Sequence, residues 1–280
     1  IALAFFGAVM GATDVSMNTN AVIVEKLAGR RLLSGMHAFW SIGCFASAGL
    51  FSVLASSGLN VTLIAALHCA IVLVLLAVFG RHLLDYKSPG GEKAFAIPRG
   101  IVIVLGILAC ISFLVEGSVM DWSGVLLTEV KNMDIALAGT GYAIFSVAML
   151  IMRLLGDKTV QFLGEQKAVI GGSIVTAAGF ALVVVLDNLY LNAFAFILIG
   201  LGCANIVPVF YSLLKYQKDM PISAAVTSVT SLGYTGVILG PALLGFVAHG
   251  INISAVFELV ALLLVIEAGI AKYVFCKLKM

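Results

Sequence analysis

The sequence predicts an all-α membrane protein, a polytopic bundle whose helices cross the bilayer many times. Of its 280 residues, 62% are hydrophobic and only 11% are charged, and the mean hydropathy is +1.15. Nine apolar stretches each come close to the roughly 20 residues that a helix needs to span the hydrocarbon layer. The stretches are continuous rather than alternating, which favours helices over the strands of a closed barrel.

The predicted spans fall into two groups separated by a polar segment. In chain order they lie near residues 3–24, 37–57, 61–80, 101–127, 136–155, 168–186, 189–214, 224–248 and 252–275. The segment between the third and fourth spans, RHLLDYKSPGGEKAFAIPRG, is polar and basic and contains Pro and Gly. We therefore predict a three-helix unit at 1–80, a linker at 81–100 and a six-helix bundle at 101–280.

The basic residues predict the orientation of the chain. Lys and Arg in short loops favour the cytoplasmic side of a membrane. All 16 Lys and Arg residues except Lys131 fall in alternate gaps between the spans or in the C-terminal tail. We therefore predict that these gaps and the C-terminus are cytoplasmic. The net charge of +2 gives no reason to expect nucleic acid as a partner.

Cysteine spacing and catalytic motifs argue against other classes of protein. The five cysteines are scattered, lack the spacing of a zinc site and suggest no disulfide. The sequence contains no HExxH, GxSxG or Walker glycine loop. We therefore predict no enzyme, no metal site and no cofactor. The chain opens at Ile1 within an apolar run and without a signal-peptide pattern, which is typical of a fragment.

Polar residues interrupt the first predicted span, among them Asp14 and Asn18. Asp14 and Asn18 are four residues apart, so on a helix they project from the same face. An ionised carboxylate at membrane depth costs about 2.5–3.5 kcal/mol, and a partner, a water-filled cavity or a bound proton has to offset this cost. We favour a cavity. The alternatives are an interfacial position for Asp14 or a hydrogen bond between helices.

This stretch and the span after it resemble the fucose permease-like branch of the major facilitator superfamily. In that branch an acidic residue of the fourth helix is followed four positions on by Asn, and the fifth helix has a polar residue six positions before a Gly. Asp14, Asn18 and His37 before Gly43 match this layout. The resemblance covers the whole chain and implies a bundle of the major facilitator type with helices 4–12 of the usual twelve present. It further implies proton coupling at Asp14 and a solute cavity lined by Asn18 and His37.

The fourth predicted span carries the most family-specific stretch, FLVEGSVMDWSGVLLTEV, which resembles the seventh helix of that branch. Glu116 and Asp121 are separated by about 140° around a helix and need not face the same cavity. Glu116 lies deeper, and we expect it to take part in proton coupling. Asp121 and Trp122 lie nearer the outer end, where we expect a gate; an interfacial anchor is the alternative, because Trp favours that depth.

The stretch RLLGDKTVQFLGEQ, between the fifth and sixth predicted spans, resembles the cytoplasmic signature of the family. Arg153, Gly156, Asp157 and Gly164 occupy its positions. The resemblance implies a tight turn whose ion pairs tie helix ends together and break during conformational change, and the alternative is an ordinary solvated loop. Glu165 stands near a position where the family usually has Arg, which weakens the expected latch.

The seventh and eighth predicted spans resemble the tenth and eleventh helices of the branch. Asn205 and Tyr234 in these spans are candidates for hydrogen bonds to a polar solute, and hydrogen bonds between helices are an equal alternative. Pro208 and Pro241 can kink their helices. Glu267 in the last span has no predicted partner.

These patterns together predict a secondary active transporter that carries a small polar solute, such as a sugar, with protons by alternating access. The expected partners are the lipid bilayer, the solute and the proton, and we expect a monomer in a bacterial inner membrane. The alternative is a non-transporting sensor or scaffold, or an inactive truncated transporter. The sequence leaves open the substrate, the direction of transport and the coupling ion.

Overall fold

The computed structural model describes residues 2–84 and 97–278, and long helices make up most of these ranges. The all-α fold class is therefore confirmed. The helices are α1 (Ala2–Ala28), α2 (Leu33–Ser56), α3 (Val61–Phe79), α4 (Ile101–Val125), α5 (Thr140–Leu163), α6 (Glu165–Val185), α7 (Leu189–Cys203), α8 (Ile206–Leu213), α9 (Ile222–Gly250) and α10 (Ile253–Leu278).

Eight helical stretches in the described ranges are long and apolar enough to cross a membrane. They match the second to ninth predicted spans and are Leu33–Ser56, Val61–His82, Ile101–Val130, Ile135–Leu163, Glu165–Val185, Leu189–Leu213, Ile222–Gly250 and Ile253–Leu278. The first predicted span is helix α1, whose 27 residues measure about 40 Å at 1.5 Å per residue. It is absent from the eight because polar residues such as Asp14 and Asn18 lower its hydropathy.

Three spans differ in detail from the prediction. The seventh is two helices, α7 and α8, separated by a turn at Ala204 and Asn205. The fourth continues beyond α4 through a π-helical turn, Leu126–Val130. Helix α5 runs to Leu163, so the stretch around Arg153 that we predicted as an interhelical loop is helical.

The six helical spans after residue 100 form a tightly packed bundle. Helix α4 packs along α9, and α6 packs against α7 and α10. Helices α1 and α2 contact this bundle through α5, α8 and α9, whereas the side chains of α3 are mostly exposed and Ile64 is its buried residue. The predicted division at 81–100 stays a prediction, because residues 85–96 lie outside the described ranges.

Helices α4 and α9 approach each other most closely at a glycine. A Cβ atom at Gly236 would collide with the main-chain carbonyl of Cys110. One turn later, a Cβ atom at Gly240 would meet its nearest neighbour, Leu114 Cγ, at 3.5 Å, which is an ordinary contact. Small residues of this kind let the backbones of membrane helices come together.

We expect Gly236→Ala to lower the midpoint temperature of thermal unfolding in detergent, because the added methyl group meets main-chain atoms that cannot rotate away. Overpacking of this kind typically costs about 1–3 kcal/mol. Gly240→Ala is the matched control, since it lies on the same helix and gains the same helix propensity. Equal midpoints for the two variants would contradict the close contact at Gly236.

Candidate functional site

A polar cluster lies where the middle of α1 meets α9. The Asn18 side chain donates through Nδ2 to the Asp14 carboxylate at 3.1 Å and to the Asp14 main-chain carbonyl at 3.0 Å. The Tyr234 side chain of α9 lies beside this carboxylate and interacts with it electrostatically. In residues 2–84 and 97–278, no Lys or Arg side chain forms an ion pair with Asp14. Neutral side chains therefore surround this carboxylate. They come from both parts of the protein, by which we mean helices α1–α3 and the six-span bundle that follows residue 100.

A histidine on α2 lies against the broken helix α7–α8. The His37 ring stacks on the Tyr211 ring of α8, with centroids 5.9 Å apart and an interplanar angle of 26°. The Tyr211 hydroxyl is 2.7 Å from Thr230 Oγ1 on α9. His37 Nε2 is buried and has no hydrogen-bond partner among the described residues. An unsatisfied buried polar atom costs about 1–3 kcal/mol, so this nitrogen is suited to receive a polar ligand.

A buried ion pair joins α4 and α5. Arg153 is only 6% exposed, and its Nη2 donates to Glu116 Oε1 at 3.1 Å and to Oε2 at 3.4 Å. Its Nη1 donates to Ser41 Oγ on α2 at 3.4 Å. Arg153 therefore lies within the bundle rather than in a cytoplasmic loop, and it balances the charge of Glu116.

The break between α7 and α8 gives Arg153 a further acceptor. In a continuous helix the Ala204 carbonyl would accept a hydrogen bond from residue 208, but Pro208 has no N–H. Arg153 Nε donates to this free carbonyl at 3.3 Å. Beside the break, a Cβ atom on Gly156 would collide with Asn205 Oδ1. Close packing therefore requires glycine at 156, and the predicted tight glycine turn lies at Gly164, whose φ of +83° joins α5 directly to α6.

The N-terminus of α2 is capped by a residue of α5. The residue preceding α2 is Leu32, and no side chain of its own caps the helix, although the first N–H groups of a helix need acceptors. Asp157 Oδ1 accepts from the Ser34 amide at 3.1 Å, and Oδ2 accepts from the Gly35 amide at 2.9 Å. A carboxylate here is also favoured by the helix dipole. Asp157 thus caps a helix of the other part, instead of forming the ion pair that we predicted.

A second carboxylate at the same helix start was missed by the sequence prediction. Glu25 Oε2 accepts from the amides of Leu32 at 2.9 Å and Leu33 at 3.1 Å. Glu25 Oε1 accepts from Ser212 Oγ at 2.7 Å and Lys215 Nζ at 2.8 Å. The lack of Ser, Thr, Asn or Asp before α2 was the available signal, because an uncapped helix start requires an outside acceptor.

These contacts join one end of the protein, where α1 and α5 end and α2 and α6 begin. We call it the basic end because Arg31 and Lys215 take part in its contacts. Arg31 Nη1 and Glu165 Oε1, 2.7 Å apart, add an ion pair between the parts at this end. At the opposite end Phe5 and Phe6 on α1 and Phe246 on α9 are exposed. The two parts are therefore joined at the basic end and in the middle of the bundle.

Sequence comparison identifies the family. No family model matches the chain. It is 42% identical over 275 residues to an uncharacterized MFS-type transporter of Yersinia pestis, a match that covers 98% of this chain and 72% of that protein. The chain belongs to the major facilitator superfamily. This major facilitator chain is also 31% identical over 280 residues to an uncharacterized transporter of Sinorhizobium fredii, covering 97% of the chain and 73% of the relative.

Solved structures show the same fold. The human organic anion transporter MFSD10 superposes with a TM-score of 0.74 at 14% identity, over 92% of this chain and 67% of that one. The Escherichia coli fucose:proton symporter superposes with a TM-score of 0.69 at 13% identity, over 93% and 73%. At such identities the likeness shows the fold alone. Membership of a transporter superfamily, together with the apolar helices, makes the protein an integral membrane protein and not an enzyme.

The residues predicted near the outer end lie apart from the central clusters of this major facilitator protein. Asp121 is exposed and lines a pocket of about 450 Å³, together with Glu129 and Tyr142. The Trp122 indole N–H is buried and has no hydrogen-bond partner among the described residues. The gating role expected for Asp121 and Trp122 stays a prediction.

The predicted site residues form two central groups. Asp14, Asn18 and Tyr234 form one, and Glu116 and Arg153 form the other. The remaining candidates lie around these groups or at the basic end, namely His37, Asn205, Gly156 and Asp157. Asn18 and Asn205 are both buried, so either can meet a solute only if the packed helices separate. The functional roles of all these residues stay predictions.

We expect Glu116→Gln to destabilise the protein by about 3 kcal/mol, because it leaves the buried Arg153 guanidinium without its counter-charge. Breaking a buried ion pair typically costs about 3–5 kcal/mol. We expect the lower end of this range because the Glu116 side chain is 25% exposed. The double variant Glu116→Gln/Arg153→Met is expected to regain most of the loss. Unfolding in detergent measures both, and additive losses in the double variant would contradict the pairing.

Proposed function

We propose that this protein is a proton-coupled secondary transporter that carries a small polar solute by alternating access. The observation that carries the proposal is Asp14, a carboxyl group in the middle of a long helix, hydrogen-bonded to the neutral amide of Asn18 and beside the neutral phenol of Tyr234. Ionised carboxyls at membrane depth are rare and mark ion or proton pathways. The curated relatives are named as transporters, and one structural neighbour is a fucose:proton symporter.

The position of Asp14 between the two parts links its charge to their arrangement. Its partners lie on α1 and on α9, which belong to different parts of the protein. When Asp14 is ionised, a water-filled cavity stabilises its charge, and this favours separated helices. When a proton neutralises it, the carboxyl group tolerates a dry, closed interface. Binding of one proton thereby shifts the population between two arrangements.

The polar groups around Asp14 suit a solute with hydroxyl groups, such as a sugar. A hydroxyl both donates and accepts hydrogen bonds. Asn18 and Tyr234 offer an amide and a phenol, and His37 offers an unpaired ring nitrogen. The Arg153 and Glu116 pair adds charged donors and acceptors. We propose that these five residues bind the solute, with Glu116 as a second proton-coupling group.

The contacts at the basic end support the alternating-access part of the proposal. If the basic end is cytoplasmic, as the distribution of Lys and Arg predicts, the arrangement described here is closed toward the cytoplasm. Opening that end requires the amides of α2 to leave Asp157 and requires Glu25 to leave Ser212 and Lys215. We propose that these bonds form the inner gate of a monomer in a bacterial inner membrane.

We expect Asp14→Asn to abolish solute-driven proton uptake. The measurement is the external pH of lightly buffered cells that express the protein, while a panel of sugars and other small polar solutes is added. A transported solute is expected to make the medium more alkaline with the wild type and with the control Glu258→Gln, whose carboxylate is exposed on α10 and has no predicted role in transport.

Unchanged alkalinisation with Asp14→Asn would remove Asp14 from the proton path. No response to any solute from folded wild-type protein in the membrane would favour the non-transporting scaffold instead. Retained exchange of labelled solute in Asp14→Asn would agree with loss of proton coupling alone.

A further inference from the structure

One carboxyl group lies inside the six-helix bundle, away from the groups considered above. Glu267 is in the middle of α10 and is 0% exposed. Ser112 Oγ of α4 is 2.6 Å from Glu267 Oε1, and Ser173 Oγ of α6 is 3.1 Å from Oε2. The carboxyl group therefore joins three helices through two hydroxyl groups.

The surroundings of Glu267 contain no charge that would balance an ionised carboxylate. Among the described residues, no Lys, Arg or His side chain forms an ion pair or hydrogen bond with it. Two serine hydroxyls orient a carboxylate but add no positive charge. Burying an unpaired charge is costly, and a group in such a place normally becomes neutral instead. Glu116 differs, because Arg153 lies against it.

The neighbouring elements add no counter-charge. On α4 the carboxyl group nearest to Ser112 in sequence is Glu116, one turn away, and on α7 Cys203 interacts electrostatically with Glu116, Arg153 and Glu267. Arg153 is already paired with Glu116, so an ionised Glu267 would add an unbalanced negative charge to this group. Among the described residues of α4, α6, α9, α10 and the π-helical turn, the other ionisable side chains make no hydrogen bond to Glu267, namely Cys110, Asp121, Glu129, Glu165, Lys167, Tyr234, His249, Glu258, Lys272, Tyr273, Cys276 and Lys277.

The geometry fits a neutral carboxylic acid. Such an acid has one O–H donor and a carbonyl acceptor. The 2.6 Å between Glu267 Oε1 and Ser112 Oγ is a hydrogen-bond distance at which either hydroxyl, that of the acid or that of the serine, can donate. The Ser173 hydroxyl donates to the other acid oxygen. Both oxygens of a neutral acid therefore have a hydrogen-bond partner in this arrangement.

We propose that Glu267 is a proton-binding site inside the six-helix bundle, separate from Asp14 and Glu116, and that it holds its proton at neutral pH. Loss of the proton places an unbalanced charge between α4, α6 and α10, so these helices pack less firmly as the pH rises. The proton is therefore bound most firmly when the three helices are packed together. This inference does not rest on transport, and its test needs no substrate.

The test is infrared spectroscopy of the purified full chain in lipid nanodiscs at neutral pH. The C=O stretch of a protonated carboxylic acid is resolved from the bands of a carboxylate. We expect a protonated-acid band in the wild type that is lost in Glu267→Gln and kept in Glu258→Gln, whose carboxyl group is exposed on the same helix. If the wild type and Glu267→Gln have the same acid bands, the proposal is overturned.

Two serine variants keep the proposal testable if Glu267→Gln fails to fold. Removing a hydroxyl in Ser112→Ala or Ser173→Ala weakens the hydrogen bonding of the acid and is expected to shift its C=O band to higher wavenumber. Raising the pH is expected to remove the same band. Acid bands that neither serine variant shifts would overturn the proposal.

Discussion

Four consecutive main-chain N–H groups, those of residues 32–35, bring the two parts of this protein together. They begin helix α2, and a helix start without a cap needs acceptors for its first N–H groups. Glu25 from the same part takes two of them and Asp157 from the other part takes the next two. Because Glu25 also accepts from Ser212 and Lys215, each carboxylate depends on both parts being in place. The closed basic end follows from this one requirement.

The second constraint is the balance of charge among the ionisable side chains. Arg153 has Glu116 as its counter-charge. Lys131, the basic residue outside the predicted cytoplasmic gaps, pairs with Asp187 at 2.8 Å. Asp14 and Glu267 are held by uncharged groups among the described residues. Because a bilayer interior does not stabilise an unpaired charge, the unpaired carboxyls are the places where a proton can act, one between the parts and one within the six-helix bundle.

Local patterns in the sequence predicted the features that form within a single helix. They did not predict the features that depend on contacts between residues far apart in the sequence. The apolar runs predicted the spans, and the four-residue spacing predicted the contact of Asp14 with Asn18. Arg153 was placed in a cytoplasmic gap because its stretch resembles the loop signature of the family, whereas α5 continues through this stretch to Leu163 and Gly156 admits Asn205 from another helix. The role of Asp157 depends on a helix start more than a hundred residues away, which no local spacing reveals.

The most direct test of the two-carboxylate cap is residue-resolved amide hydrogen exchange in Asp157→Ala. The amides of Ser34 and Gly35 lose their acceptors in this variant, while those of Leu32 and Leu33 keep Glu25. We predict faster exchange at residues 34 and 35, with slow exchange retained at 32 and 33 as long as the parts stay joined. Unchanged exchange at 34 and 35 would contradict the claim that Asp157 holds the basic end closed.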